Sequence, residues 1–128
     1  MNHIMYMTIK RFIIILPNSL TVVFYRSANG AVPVLEWLHS MNREDRREIG
    51  LDLLRVQENW PIGMPLCRNL GGGLWEVRSD LRGGRIARLL FCLNAGEIYV
   101  LHGFIKKTQQ TPATELNLAE KRMKAVLK

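Results

Sequence analysis

The chain is 128 residues long, carries a formal net charge of +7, and is 48% hydrophobic. This length supports one folded domain with a single core, and the apolar fraction excludes a disordered tail. No apolar stretch approaches the ~20 residues of a membrane-spanning helix. Residues 66–112 carry seven basic and three acidic side chains, whereas residues 20–65 carry five and six. The basic second half indicates an anionic partner, and we expect nucleic acid rather than a membrane.

The cysteine content and the N-terminal sequence indicate the cellular compartment in which the protein is expected. Cys67 and Cys92 are too few for a disulfide framework, and neither lies in a Cys-x-x-Cys or Cys/His cluster. We therefore predict two buried thiols in a reducing cytosol, with no metal site and no cofactor. The short apolar run before Pro17 lacks a cleavage site, so a signal peptide is not predicted. We interpret residues 1–19 as an N-terminal extension, disordered or forming an extra strand, and residues 20–128 as one domain.

The first half of the domain predicts a strand and two helices. β-Branched and aromatic residues over 20–25 predict the strand. Pro33 and the helical spacing of the apolar residues after it predict a short first helix. Asn42 is the predicted N-cap of a second helix, whose apolar stripe runs from Ile49 to Trp60. Together these helices form a predicted αα-hairpin.

The second half changes to a strand pattern. Runs at 67–70, 74–80, 85–93 and 97–107 are separated by short glycine-containing links, which predicts an antiparallel meander. Thr111 is the predicted N-cap of a last helix, with Pro112 at its first position. The predicted fold is therefore α+β: an N-terminal strand, an αα-hairpin, a three- to four-stranded antiparallel sheet and a C-terminal helix. We expect the helices to pack on one sheet face.

Strand alternation predicts that polar side chains of the sheet share one face, which the apolar set leaves open to solvent. One strand register brings five of them together with an aromatic side chain: Glu76, Arg78, Arg88, His102 and Lys106, with Phe104. An arginine presents a planar fork of donors that matches phosphate oxygens two at a time. The sequence thus predicts a seat for a phosphodiester backbone on this face.

Four motifs in order carry a resemblance to a known family. They are Val23-Phe24-Tyr25-Arg26 with Glu36-Trp37-Leu38, Gly73-Leu74-Trp75-Glu76-Val77-Arg78, Gly84-Arg85-Ile86-Ala87-Arg88, and Leu101-His102-Gly103-Phe104-Ile105-Lys106-Lys107-Thr108 followed by Thr111-Pro112. Over about residues 20–127 the chain resembles phage-derived HigB-type toxins of the RelE/ParE superfamily. The resemblance implies a RelE-like fold and the toxin of a type II toxin–antitoxin pair.

Such a toxin is a cytoplasmic, metal-independent endoribonuclease that cleaves mRNA on the translating ribosome. Its partner would be a cognate antitoxin, expected to be a helix-turn-helix protein. Carried over by position, the catalytic candidates are Arg78, Arg88 and Lys106. Some relatives have a lysine where this chain has Glu76, and they place a tyrosine near the C-terminus that is absent here. Glu76 and His102 therefore stand as alternative general bases, and further RNA contacts are expected at Arg68, Arg82, Arg85, Phe104 and Lys107.

Two other functions are compatible with the sequence. The same basic sheet could bind RNA or the ribosome without chemistry. Alternatively, a phage-derived factor could bind a host protein through its acidic helical hairpin. The sequence leaves open the codon preference, the ribosome dependence, the mode of inhibition by an antitoxin and the oligomeric state.

Overall fold

The computed structural model describes residues 4–7, 12–15, 20–106 and 111–127. Its strands are β1 (Ile4–Met7), β2 (Phe12–Ile15), β3 (Thr21–Phe24), β4 (Cys67–Gly71), β5 (Leu74–Asp80), β6 (Ile86–Asn94) and β7 (Glu97–Lys106). Its α-helices are α1 (Pro33–Ser40), α2 (Arg43–Asn59) and α3 (Ala113–Val126). The predicted α+β class is confirmed.

Five strands form the main sheet in the order β3-β7-β6-β5-β4. The four strands of the predicted meander pair antiparallel with their neighbours. The sheet was predicted to have three to four antiparallel strands. In the structure, β3 adds a fifth strand that runs parallel to β7, with Thr21 opposite Glu97. The chain reaches this parallel position because the two helices lie between β3 and the meander, as a crossover requires.

The N-terminal extension contains two strands. The backbones of β1 and β2 pair antiparallel, with Ile4 opposite Ile15, and form a small sheet of their own.

The helical hairpin follows its sequence signals. Pro33 occupies the first turn of α1, where its missing N–H costs nothing. The side-chain oxygen of Asn42 accepts a 2.8 Å hydrogen bond from the backbone N–H of Asp45, which confirms the predicted cap of α2. Ile49, Leu53 and Val56 are buried against the sheet, as their spacing predicts.

Aromatic packing closes the core beneath this hairpin. The rings of Trp60 and Trp75 meet edge to face with centroids 4.8 Å apart, and Trp60 contacts Phe91 in the same way at 5.6 Å. Such edge-to-face pairs favour a fixed ring geometry. The face of the sheet that carries Leu89 and Phe91 therefore packs against the helical hairpin in the larger core.

The last helix lies on the opposite face, so the prediction of helices on one face was wrong. Ala119 and Met123 of α3 pack with Leu90 and Phe104, side chains that alternate away from the α1–α2 layer. The predicted cap was also wrong. Pro112 occupies the N-cap position of α3 without a side-chain cap, because the Thr111 hydroxyl donates instead to Glu76 on β5.

One irregularity in β7 changes which side chains face α3. His102 lies opposite Leu90 while Val100 lies opposite Phe91, so Leu101 is an extra residue in the ladder. Ile98 and Val100 therefore turn toward the α1–α2 core. Gly103 is regular in the ladder, and its missing side chain leaves space for the Trp37 ring.

An ion pair fastens α2 to the turn before β6. Both terminal nitrogens of Arg85 bind the carboxylate of Asp45, at 2.6 and 2.9 Å. Asp45 is 4% exposed. The hydrogen bond from Arg85 holds the pKa of Asp45 below its ordinary value, against the opposing effect of burial.

Two further findings concern the chain as a whole. Cys67 and Cys92 are free and buried, as predicted, and burial raises the pKa of each thiol to about 11. Within the described residues, no helix has the length and apolar character needed to span a membrane.

Substitution Gly103→Ala should destabilise the fold. A Cβ there would lie 2.5 Å from Cζ3 of Trp37 and 2.9 Å from Cδ2 of Leu89, and overpacking of this kind costs about 1–3 kcal/mol. Gly50→Ala is the matched control, because Gly50 lies in α2 with open space around it. We expect the control to raise stability by about 0.5–1 kcal/mol, as measured by urea unfolding. Equal stability of the two variants would contradict this packing.

The Asp45–Arg85 pair should make stability depend on acid pH. A carboxyl whose pKa is lowered in the folded state contributes stability above its unfolded pKa, and this contribution is lost as pH falls through the folded pKa. The loss should therefore occur below the ordinary value of 3.8. Urea unfolding across acid pH should show this loss in the wild type and not in Asp45→Asn. Glu58→Gln, an exposed acid on the same helix, should retain it; a variant of Asp45 with the wild-type profile would refute the assignment.

Candidate functional site

The register of three strands brings the six predicted polar and aromatic side chains onto one sheet face. Arg78 of β5 lies opposite Arg88 of β6, which in turn lies opposite Phe104 of β7. In the adjoining row, Glu76 and His102 flank Leu90. The predicted register is therefore confirmed. The face is covered in part by α3, so the expectation that it lies open to solvent was wrong.

A buried ion pair occupies the centre of this face. Nη1 of Arg88 donates to Oε1 of Glu76, and the two residues are 4% and 1% exposed. The other carboxylate oxygen accepts a 2.7 Å hydrogen bond from the Thr111 hydroxyl. Nε of Arg88 is buried and has no hydrogen-bond partner among the residues that the structure describes. A buried donor without a partner is costly. A hydrogen-bond acceptor placed beside Nε of Arg88 would therefore be bound favourably.

Lys106 adds a further buried cation beside the pair. Lys106 is 5% exposed, and burial lowers the pKa of its ammonium group. Repulsion by Arg88 lowers that pKa as well, while attraction by Glu76 opposes the effect. A lysine in such surroundings releases its proton more readily than one in water.

Two arginines carry the positive charge outward. Arg68 is exposed on the edge strand β4, directly opposite Glu76. The Arg78 side chain is 37% exposed, and its Nε lies 3.6 Å from Oδ1 of Asp80. Both arginines are close enough to depress the pKa of Lys106. We call Arg68, Arg78, Arg88 and Lys106, with Glu76 among them, the cationic cluster.

The cationic cluster holds four positive groups and one carboxylate. Arg78 and Arg88 are direct cross-strand neighbours, an arrangement that is destabilising for like charges unless an anion lies between or beside them. Counting Glu76 and also Asp80, which pairs with Arg78, the four cations leave an excess of two positive charges. The arrangement is suited to bind and polarise a phosphodiester, one of whose negative oxygens can accept from Nε of Arg88.

His102 contacts the last helix and not the cationic cluster. Its Nε2 lies 2.7 Å from Oε1 of Glu115, on the first turn of α3. The ring stacks on Phe104 with centroids 5.6 Å apart. Because Leu90 lies between Glu76 and His102 in the row, their backbones are about 10 Å apart at the usual strand spacing. Of the two alternative bases, only Glu76 lies within the cationic cluster.

The remaining predicted RNA contacts are distributed elsewhere. Arg85 is engaged by Asp45 on the α2 side of the sheet, and Nη1 of Arg82 lies 3.5 Å from Oε2 of Glu44. Phe104 is 7% exposed and packs in the α3 core. Lys107 lies outside the described residues. RNA contact by these four residues remains a prediction.

Sequence reasoning missed the two polar contacts that α3 makes with the sheet. Thr111 meets Glu76 across 35 residues of chain, and Glu115 meets His102 across 13. The only available signal was the presence of polar side chains at the start of the last helix, which capping rules assign to the helix itself.

The described part of the chain contains no group of three or more His, Cys, Asp or Glu side chains placed to hold a metal ion.

Comparison with known protein families places the chain in one of them. No curated protein matches the chain. The family model described as phage derived protein Gp49-like (DUF891) matches residues 36–124, which include most of α1, all of α2, the whole meander and most of α3. The chain therefore belongs to the phage-derived Gp49-like family, a RelE- and toxin-like family.

Proposed function

We propose that this protein is a HigB-type toxin that cleaves mRNA on the translating ribosome without a metal ion, and that a helix-turn-helix antitoxin neutralises it. The observation that carries the proposal is the cationic cluster, in which four cations surround Glu76 on one sheet face. Membership in a toxin-like family supports it. An RNA strand supplies the polyanion that such a cluster needs.

The reaction proposed is attack of a ribose 2′-oxygen on the adjacent phosphorus, with departure of the 5′-oxygen. The products are a 2′,3′-cyclic phosphate and a free 5′-hydroxyl, so no water is consumed in this step. The transition state is a phosphorane with added negative charge. Preorganised positive charge directed at that group is usually the largest catalytic contribution. Arg68 and Arg78 are exposed and bind the phosphate first, while Arg88 and Lys106 stabilise the charge that develops.

Proton transfer is assigned to the carboxylate Glu76 and to the ammonium group of Lys106. Glu76 accepts the proton of the 2′-hydroxyl, exchanging its hydrogen bond with Thr111 for one with the substrate. Lys106 donates a proton to the leaving 5′-oxygen, a step assisted by its lowered pKa. A positioned general acid or base contributes roughly 10²–10⁴-fold to such a rate. His102 is not assigned, because Glu115 and Leu90 separate it from the cluster.

One observation favours a second function, RNA or ribosome binding without cleavage. Glu76, Arg88 and Lys106 are each at most 5% exposed. Only Arg68 and Arg78 of the cationic cluster reach solvent to a larger extent. A protein that merely binds RNA needs no more than these two exposed cations, so the test must separate binding from cleavage.

Replacement Lys106→Met should lower the rate of cleavage by roughly 10²-fold or more, because it removes both a proton donor and a charge at the phosphate. Glu76 keeps its ion pair with Arg88 in this variant, and thermal unfolding verifies that the fold is retained. Cleavage of end-labelled mRNA is measured on free RNA in excess chelator and, separately, on ribosomes in the Mg²⁺ that keeps them assembled. Lys121→Met, at an exposed position of α3, is the matched control.

The outcomes separate the two functions. Cleavage by the wild type and the control but not by Lys106→Met supports the proposed mechanism. RNA binding by all three proteins without any cleavage supports the binding module. Equal cleavage by Lys106→Met and the control would contradict the assignment of Lys106.

A further inference from the structure

A recess of about 440 Å³ opens beside the cationic cluster. It lies where α2 faces the end of β5 and the loop that precedes β4, and Pro65 and Leu66 form an apolar part of its wall. The volume falls within the range of small-molecule sites, roughly 300–1,000 Å³. The recess can therefore hold a flat heterocyclic group.

The recess differs in charge from the rest of the molecule. Its lining includes three carboxylates, those of Glu48, Asp52 and Asp80, and two guanidinium groups, those of Arg55 and Arg78. Asp52 is engaged by Arg55, and the Asp80 side chain is 84% exposed. In a chain with a net charge of +7, this lining is locally negative. It repels a phosphate and attracts a group that donates hydrogen bonds.

Arg78 connects the two features, because it lines the recess and also belongs to the cationic cluster. A nucleotide whose phosphate binds the cluster would thus place an adjoining base at the mouth of the recess. A carboxylate accepts two parallel hydrogen bonds from neighbouring N–H groups. Guanine carries such a pair on its Watson–Crick edge, at N1 and N2, whereas uracil presents one N–H between two carbonyl groups.

We propose that this recess is a nucleobase subsite that selects guanine next to the phosphate held by the cationic cluster, with Glu48 and Asp80 as the acceptors. The inference rests on the proposed function, since it requires RNA to be the bound polyanion. Asp80 is the more accessible acceptor, because its side chain is 84% exposed, and a base that binds it would share or replace its 3.6 Å ion pair with Arg78. Pro65 and Leu66 supply a surface against which the plane of the base can lie.

The test measures binding apart from cleavage. Short 2′-O-methyl oligoribonucleotides lack the nucleophilic hydroxyl, so the full-length protein can bind but not cut them. Fluorescence anisotropy at low salt compares four oligonucleotides that differ only in one central base. We expect guanine to bind roughly tenfold more tightly than uracil, the scale of one bidentate contact to a base edge.

The double variant Glu48→Gln/Asp80→Asn should reduce this preference to less than about twofold, while affinity for the uracil oligonucleotide stays level or rises. Glu58→Gln, on an exposed position of α2 outside the recess, should keep the tenfold preference. Thermal unfolding of each variant verifies that the fold is retained.

The failures of the two proposals are distinguishable. Equal binding of all four bases, weakened by Arg68→Gln, would overturn the guanine subsite and leave RNA as the partner. Absence of any binding would overturn both proposals. Binding of an arginine-rich peptide that depends on Glu48 and Asp80, without a base preference, would assign the recess to a basic protein segment instead.

Discussion

The buried ion pair between Glu76 and Arg88 is the interaction around which the polar face of the sheet is arranged. Both residues are almost fully buried, and taking two charges out of water costs several kcal/mol per ion unless their mutual contact and further hydrogen bonds offset it. Thr111 supplies one of those bonds and thereby ties the start of α3 to the sheet. Loss of one partner alone would cost about 3–5 kcal/mol, whereas apolar replacement of both is often neutral. Stability alone therefore does not explain why the pair is there, whereas the proposed function gives it a role beside a bound phosphate.

The same three strands serve two purposes on their two faces. Leu89 and Phe91 pack beneath α1 and α2, in the larger core. On the other face, α3 covers Leu90 and Phe104 but leaves Arg68 and Arg78 with access to solvent. The alternation of side chains thus couples the backbone of the site to the core, because the strands that carry Arg78 and Arg88 also carry core residues on their other face. Preorganisation of this kind is what lets fixed charges stabilise a transition state.

Local signals made much of this predictable. The cap at Asn42, the stripe on α2 and the glycine links of the meander act over a few residues, and each produced the expected element. Alternation placed Arg78 and Arg88 on one face correctly. The parallel pairing of β3 with β7 joins residues more than seventy positions apart, and periodicity carries no such information. The same holds for the position of α3, which determines that Arg88 is buried and that His102 meets Glu115 instead of the cluster.

The most direct test of this account replaces the central pair as a unit, in the variant Glu76→Leu/Arg88→Met. The measurement combines urea unfolding with cleavage of translated mRNA, because either result alone is ambiguous. We predict unfolding free energies within about 2 kcal/mol of the wild type, since apolar side chains of similar volume replace a buried ion pair, together with loss of cleavage. A folded variant that still cleaves mRNA at the wild-type rate would contradict the central claim that this pair exists for function.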